Sequence, residues 1–191
     1  MTSHDGIAAL VASAQRGEAA AFETLVRRHF RAAYSVALAV LQSPAEAEDV
    51  AQESFLVAFQ RLDTCREPER FAGWLVQIVR NRALNALESS KLRSRTAERS
   101  SEGAPKAAPP PEAPQRDRLV AALGLVSPSQ REVVLLHDLE GWTHPEIAAS
   151  LGISEVMSRQ HLFQARKTLR AALAEDAPGT QPQVQKEGGT S

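Results

Sequence analysis

Six long polar side chains recur along the last helical segment of the sequence, and their types suit hydrogen bonding to DNA. They are Arg159, Gln160, Gln164, Arg166, Lys167 and Arg170. Arginine and glutamine pair with base edges in the major groove, and arginine and lysine contact phosphates. The preceding run "THPEIAASLGIS", residues 143–154, places Gly152 where a tight turn needs left-handed backbone. This pattern predicts a helix-turn-helix that reads duplex DNA, with a helical bundle bearing a basic solvated face as the simpler alternative.

A second set of polar residues lies on the segment "PAEAEDVAQESFLVAFQRL", residues 44–62. Its exposed face combines two carboxylates, one amide and one apolar side chain at i, i+3, i+4 and i+7: Asp49, Gln52, Glu53 and Leu56. Taken alone, this face is most simply a solvated acidic surface. It is also what a docking surface for a basic helical partner requires. The opposite face is predicted to be buried and comprises Ala51, Phe55, Ala58, Phe59 and Leu62.

Aromatic, amide and cationic residues follow the polar loop "DTCREPERF", residues 63–71. The predicted helix after this loop carries Trp74, Gln77, Arg80, Asn81, Arg82 and Asn85, and its apolar side comprises Leu75, Ile78, Val79, Leu84 and Leu87. Stacking faces, amides and cations beside a mobile loop are typical of proteins that bind a single strand of nucleic acid. A core tryptophan and surface arginines would explain the same residues without function.

Catalytic and metal-binding motifs are missing from the sequence. Its histidines have no metal-ligand spacing with Cys65 or with each other. No phosphate-binding glycine loop and no nucleophile motif occurs. The lone Cys65 excludes an internal disulfide and fits a reducing compartment. We therefore expect no cofactor, no metal and no enzymatic activity.

Helical periodicity with several helix-start signals predicts an all-α fold. Ser43, Ser127 and Thr143 stand at N-cap positions, each followed three residues later by Glu or Gln. Prolines occupy the first turns of the same helices. In the second half we predict helices near 117–125, 128–140, 143–151 and 154–173, with Ser154 capping the last.

The composition predicts two small helical domains on a tether. The chain has 191 residues, 43% of them hydrophobic, and a net charge of −1, so any basic surface must be segregated. Residues 97–116 are rich in proline and lack large apolar side chains, which predicts a flexible linker. The predicted organisation is a first domain over 1–96, the linker, a second domain over 117–174 and a disordered tail over 175–191. With no signal sequence and no apolar run of about 18 residues, the expected location is the cytoplasm.

Together, the two halves resemble bacterial sigma factors of the sigma-70 family, in the extracytoplasmic-function (ECF) group. The first half resembles region two in "RGEAAAFETLVRRHF", "AEAEDVAQESFL" and "FAGWLVQIVRNRALN". The second half resembles region four in "LVSPSQREVVLLHDLEGWTHPEIAASLGIS" and "QARKTLR". The resemblance implies a promoter-specificity subunit, with core RNA polymerase and promoter DNA as partners and no membrane insertion.

The resemblance also implies roles for individual residues. Asp49, Gln52, Glu53 and Leu56 would bind the clamp helices of the largest polymerase subunit. The −10 strand would contact Asp63, Arg66, Arg70, Trp74, Gln77, Arg80, Asn81 and Asn85. The −35 duplex would contact Ser158, Arg159, Gln160, His161, Gln164, Arg166 and Lys167. Further implied contacts are the polymerase flap and an anti-sigma protein.

One departure from the family pattern lies at the start of the recognition helix. Ser158 stands where a branched apolar residue usually packs under the turn, and we expect the flexible Met157 to fill part of that gap. A free-standing helix-turn-helix regulator is the alternative function, although the first half has no receiver or ligand-binding character. A hydrolase or nuclease has little support in the sequence.

Overall fold

The computed structural model describes residues 3–98 and 115–175, and within those ranges every regular element is helical. The predicted all-α class is therefore confirmed. Apart from a few residues at their ends, the predicted linker (97–116) and tail (175–191) lie outside the described residues.

The N-terminal half, residues 3–98, is built around one long central helix. Its helices are α1 (Ser3–Gln15), α2 (Ala19–Leu41), α3 (Pro44–Gln60) and α4 (Phe71–Glu98). Short 3-10 turns at Leu62–Thr64 and Pro68–Arg70 link α3 to α4. α2 packs against α1, α3 and α4. Alanines with little or no exposed surface at 33, 37, 47 and 51 let these helices approach closely.

The C-terminal half, residues 115–175, contains α5 (Gln115–Gly124), α6 (Pro128–Val134), α7 (His144–Leu151) and α8 (Glu155–Glu175). A π-helical turn, Leu135–Leu139, continues α6, so the helix predicted over 128–140 widens in its last part. The Glu140 N–H donates to the Leu135 carbonyl over 3.2 Å, which is the i to i+5 bond of a π turn. α7 ends at Gly152 with a φ of 69°, as the sequence predicts for a tight turn before α8.

Local side-chain bonds explain where the helices begin. The Ser43 hydroxyl accepts from the Glu46 N–H over 3.4 Å. Ser127 and Gln130 form a reciprocal capping box. The Glu146 carboxylate accepts from the Thr143 N–H over 2.8 Å. Each cap satisfies backbone donors that the first helical turn leaves unpaired.

The two halves pack directly on each other. α6 and the π turn lie against α2, and α7 lies against α4. Arg131, which is 5% exposed, connects the halves through three carbonyls. Its Nε and Nη2 donate to Leu123 and Val126 in the C-terminal half, and its Nη1 donates to Ala39 in α2 over 2.6 Å. One continuous apolar core therefore runs through both halves.

Two side chains predicted to be buried are exposed instead. Phe59 is 55% exposed and Leu84 is 36% exposed, so both predictions were wrong. The buried stripe of α3 is centred on Ala47, Ala51 and Ala58, and Phe59 lies at its edge. There the Phe59 ring contacts Phe22 of α2 in an edge-on arrangement, with ring centroids 5.0 Å apart.

Candidate nucleic-acid and protein interfaces

The predicted docking surface on α3 is fully accessible. Asp49, Gln52, Glu53 and Leu56 are all exposed, and Leu56 is 67% exposed. Arg82 of α4 forms a salt bridge with Glu53 and fixes that carboxylate at one edge of the surface. An apolar side chain bordered by carboxylates and an amide suits a basic helical partner.

Phe59 extends this surface, although the helical pattern alone did not identify it. It lies three residues after Leu56, slightly less than one helical turn, and its exposed ring packs on Phe22 of α2. Exposed aromatic rings are characteristic anchors of protein interfaces. A strict helical wheel centred on the alanines, rather than on Phe55, would have placed Phe59 outside the core.

The polar loop between α3 and α4 is anchored from below. Gln15 Nε2 donates to the carbonyls of Leu62 and Cys65 over 2.9 and 3.4 Å. Cys65 is buried, and burial raises the pKa of its thiol above the ordinary value. The three charged candidates of the loop are exposed: Asp63, Arg66 and Arg70. A loop whose backbone is anchored and whose charged side chains point outward is suited to holding an extruded nucleobase.

The exposed ridge of α4 brings together most of the amides predicted to contact a single strand. Gln77, Asn81 and Asn85 are exposed at i, i+4 and i+8. Trp74 is half-buried and packs on Phe71, with ring centroids 5.7 Å apart. Arg80 lies beside these residues, but its guanidinium is not free, because its Nε donates to Glu132 of the C-terminal half over 2.7 Å.

The outermost ridge of α8 mixes polar and apolar side chains. Gln160 and Lys167 share it with Val156 and Phe163, which are 71% and 65% exposed. Arg159 is exposed beside the ridge and Gln164 lies on its other flank. Apolar groups can contact thymine methyls, so Val156 and Phe163 belong to this surface together with the predicted polar residues. The sequence did not identify these two residues as contact candidates, because apolar side chains on a helix are usually buried.

Ser158 does not belong to the exposed surface. It is fully buried, so its side chain has no access to DNA and the predicted contact is not supported by its position. Its hydroxyl lies 2.9 Å from Nδ1 of His144, the first residue of α7. Met157 is 45% exposed and does not fill the space under the turn, contrary to our expectation. A hydrogen bond between α7 and α8 replaces apolar packing at this position.

Arg166 is held by the π turn. Its Nε donates to Asp138 Oδ2 over 2.9 Å and its Nη2 donates to Oδ1 of the same carboxylate. These bonds lower the pKa of Asp138 below its ordinary value. The neighbouring His137 also contacts Asp138 and lies against the His144 ring, with centroids 4.9 Å apart. The bridge therefore fixes α8 relative to the π turn while leaving Arg166 partly accessible.

Residues 3–98 and 115–175 contain neither a metal-binding cluster nor a membrane-spanning helix. No group of three or more His, Cys, Asp or Glu side chains could hold a metal ion. No helix in the described part of the chain has the length and apolar character to cross a bilayer.

Comparison with known families and proteins gives consistent matches in both halves. Residues 25–93 match the family Sigma-70 region 2, and residues 116–169 match the family Sigma-70, region 4. The chain is 32% identical over 171 residues to ECF RNA polymerase sigma factor SigL of Mycobacterium tuberculosis, covering 87% of this chain and 97% of that protein. It is 32% identical to RNA polymerase sigma factor CarQ of Myxococcus xanthus, covering 81% and 90%. It is also 37% identical to "Probable RNA polymerase sigma factor RfaY" of Xanthomonas campestris pv. campestris, but spans only 37% of that longer protein.

Solved structures share the same helical arrangement. CnrH, in complex with the cytosolic domain of CnrY, matches with a TM-score of 0.65 and 28% identity over 90% of this chain and 99% of that one. The sigma factor RpoE of Bartonella quintana, in complex with the anti-sigma factor NepR, matches with a TM-score of 0.64 and 21% identity over 82% and 98%. At 21% identity, the match to RpoE indicates a shared fold and no more.

Proposed function

The chain belongs to the sigma-70 family of RNA polymerase sigma factors, in its ECF group, and on that premise we propose which of its surfaces carry out promoter-directed initiation. As a member, it is a promoter-specificity subunit rather than a free-standing helix-turn-helix regulator, because a regulator needs no region 2. The observation that carries the assignment of surfaces is that each half has its own exposed functional face: acidic and apolar on α3, basic on α8.

Core polymerase docks on α3. Asp49, Gln52 and Glu53 supply charge and hydrogen bonding, and Leu56 and Phe59 supply apolar area that is exposed in the free chain. Charge complementarity speeds and orients the encounter, whereas the buried apolar anchors supply most of the affinity. This division of roles is supported by the exposure of all five side chains on one helix.

The −10 strand lies along the loop and the exposed ridge of α4. Asp63, Arg66 and Arg70 surround the site where a flipped base would be held. Gln77, Asn81 and Asn85, with Trp74 beside them, then contact the melted strand, and Arg80 joins them once its guanidinium is released from Glu132. Extruding a base costs a few kcal/mol, and the new contacts to the base and backbone offset that cost.

The −35 duplex receives α8 in its major groove. Its outward ridge reads base edges through Gln160 and thymine methyls through Val156 and Phe163. Three cations around this ridge, Arg159, Arg166 and Lys167, complete the contact together with the amide of Gln164, and the imidazole of His161 is assigned to the same contact. Ser158 is left out of this surface because it is buried.

The chain supplies no catalytic chemistry, and it works in the cytoplasm, where core polymerase and the chromosome are found. The polymerase flap is a further contact of region 4. An anti-sigma protein is a further partner, a proposal supported by two similar structures: CnrH in complex with the cytosolic domain of CnrY, and the sigma factor RpoE in complex with the anti-sigma factor NepR.

Run-off transcription with purified core polymerase tests the whole proposal. Addition of the chain should give transcripts whose start sites share upstream boxes at a fixed spacing, and a pull-down should recover core polymerase. A chain that binds duplex DNA but neither retains core polymerase nor supports transcription would overturn it.

A further inference from the structure

Two carboxylates of the C-terminal half reach cations of the N-terminal half. Glu132 of α6 is 3% exposed, and its Oε1 accepts from Arg80 Nε over 2.7 Å. Glu140, at the end of the π turn, accepts from Arg31 Nε over 2.9 Å and from the Ser35 hydroxyl over 3.0 Å. One contact is made with α4 and the other with α2.

An ion pair with a buried carboxylate is a costly way to join two helices permanently, and here Glu132 is 3% exposed while Arg80 is 37% exposed. Burial raises the pKa of Glu132, and the Arg80 guanidinium opposes that shift. Well-packed apolar residues would usually stabilise such a contact as well or better. Charged side chains have one advantage at a surface that opens, since both partners become favourably hydrated once they separate.

The Arg80 contact has a direct consequence for nucleic-acid binding. Arg80 flanks the exposed ridge of Gln77 and Asn81, but its guanidinium already donates to a carboxylate. A carboxylate and a phosphate offer the same acceptor geometry to a guanidinium. Glu132 therefore occupies a guanidinium that a backbone phosphate of a bound strand could also use.

We propose that Glu132 and Glu140 form an ionic latch that holds regions 2 and 4 in a closed form and competes with the promoter strand for Arg80. The competition part of this proposal rests on the role proposed above for Arg80. In the closed form α7 covers the flank of α4 beside Gly73, where an added Cβ would meet the Ser150 Oγ at 3.0 Å. Opening frees Arg80 and uncovers that flank.

A disulfide trap measures the closed population directly. The close approach of residues 73 and 150 suits a disulfide, whose Cβ atoms lie about 3.5–4.5 Å apart. In the full chain carrying Gly73→Cys and Ser150→Cys, we follow the rate of cross-linking under a mild oxidant. Adding Glu132→Gln and Glu140→Gln should slow it about tenfold, and added salt should slow cross-linking of the parental cysteine pair more than that of the glutamine variant, which no longer has the ion pairs to screen. The matched control is Asp117→Asn, which removes one exposed charge of α5 and should leave the rate unchanged.

Strand binding gives the second measurement. The probe is a fluorescein-labelled single DNA strand of mixed sequence, titrated with the same cysteine-pair variant before and after reduction. The oxidised form should bind about tenfold more weakly than the reduced form. The Glu132→Gln, Glu140→Gln chain without the cysteines should bind more tightly than the Asp117→Asn chain.

The two measurements separate failure of the latch from failure of the proposed function. Equal cross-linking rates in the glutamine variant and the Asp117→Asn control would overturn the latch whatever the DNA result. Equal strand binding by the oxidised and reduced forms would overturn the competition for Arg80. If the reduced chain gives no transcription with core polymerase, the proposed function fails, while the cross-linking rate still tests the latch. Circular dichroism of the glutamine variant, together with the single variant Glu140→Gln, guards against a folding defect.

Discussion

Replacing Leu56 and Phe59 by alanine should separate binding from folding more cleanly than any other change to α3. Leu56 is 67% exposed and Phe59 is 55% exposed, so each has most of its side chain still available for burial against a partner. Full burial of such a side chain contributes about 1.5–3 kcal/mol, so the exposed fractions of the two side chains together correspond to roughly 1.8–3.7 kcal/mol. The double variant should bind core polymerase roughly 20- to 500-fold more weakly.

The assay is competition between the variant and fluorescently labelled wild-type chain for limiting core polymerase. Leu92→Ala serves as the matched control, because Leu92 is also 67% exposed but lies on α4 away from the proposed surface. Loss of the edge-on contact with Phe22 should cost the free chain only about 0.5–1.5 kcal/mol of stability. A loss of affinity below about threefold, or an equal loss in Leu92→Ala, would refute the proposed anchors.

Four further outcomes test the remaining surfaces and one buried group. Gln52→Ala with Glu53→Lys should weaken binding to core polymerase, most strongly at low salt, and unchanged competition would contradict the acidic docking face. Asn81→Ala should reduce open-complex formation, measured by permanganate reactivity, more than it reduces promoter footprinting; equal losses would argue against single-strand contact. Gln160→Ala should cost about 1–3 kcal/mol on the cognate −35 duplex but little on a scrambled one, as measured by anisotropy. Burial lowers the pKa of His29 to about 4 in the folded chain. As the pH falls below about 6.5, the unfolded chain therefore binds a proton before the folded chain does. Folding loses up to roughly 3 kcal/mol of stability from this residue by pH 4. In urea titrations across this range, the free energy of unfolding should depend less on pH in His29→Gln than in the wild type. Identical pH dependence in the two chains would rule out His29 as the source.

The helices were predictable because their start and stop signals are local. Ser127 forms its bonds within one turn of its own helix, and Gly152 adopts the left-handed backbone expected of it. Exposure of Asp49, Gln52, Glu53 and Leu56 was predictable for the same reason, since these four residues share one helix face whatever packs on the other side.

Other features depended on contacts that sequence spacing does not encode. Glu132 and Glu140 look like solvated surface charges in the sequence, yet their partners lie 52 and 109 residues away in the chain. Phe59 follows Phe55 by four residues, so periodicity alone assigned it to the same buried stripe. The replacement of apolar packing by the bond between Ser158 and His144 also required the structure, because those side chains meet only after the turn forms.

Arg131 has hydrogen bonds that remain, and others that break, when the two halves separate. The Nη1 bond to the Ala39 carbonyl crosses between them, and the Gln42 side-chain amide at the end of α2 lies 3.1 Å from Nη2, while Nε and Nη2 donate to Leu123 and Val126 within the C-terminal half. Separation therefore breaks the contacts with Ala39 and Gln42 and leaves the end of α5 tied to the start of α6. Region 4 can therefore move as a rigid body, and its recognition helix keeps the same geometry in the docked position and at a distant promoter element.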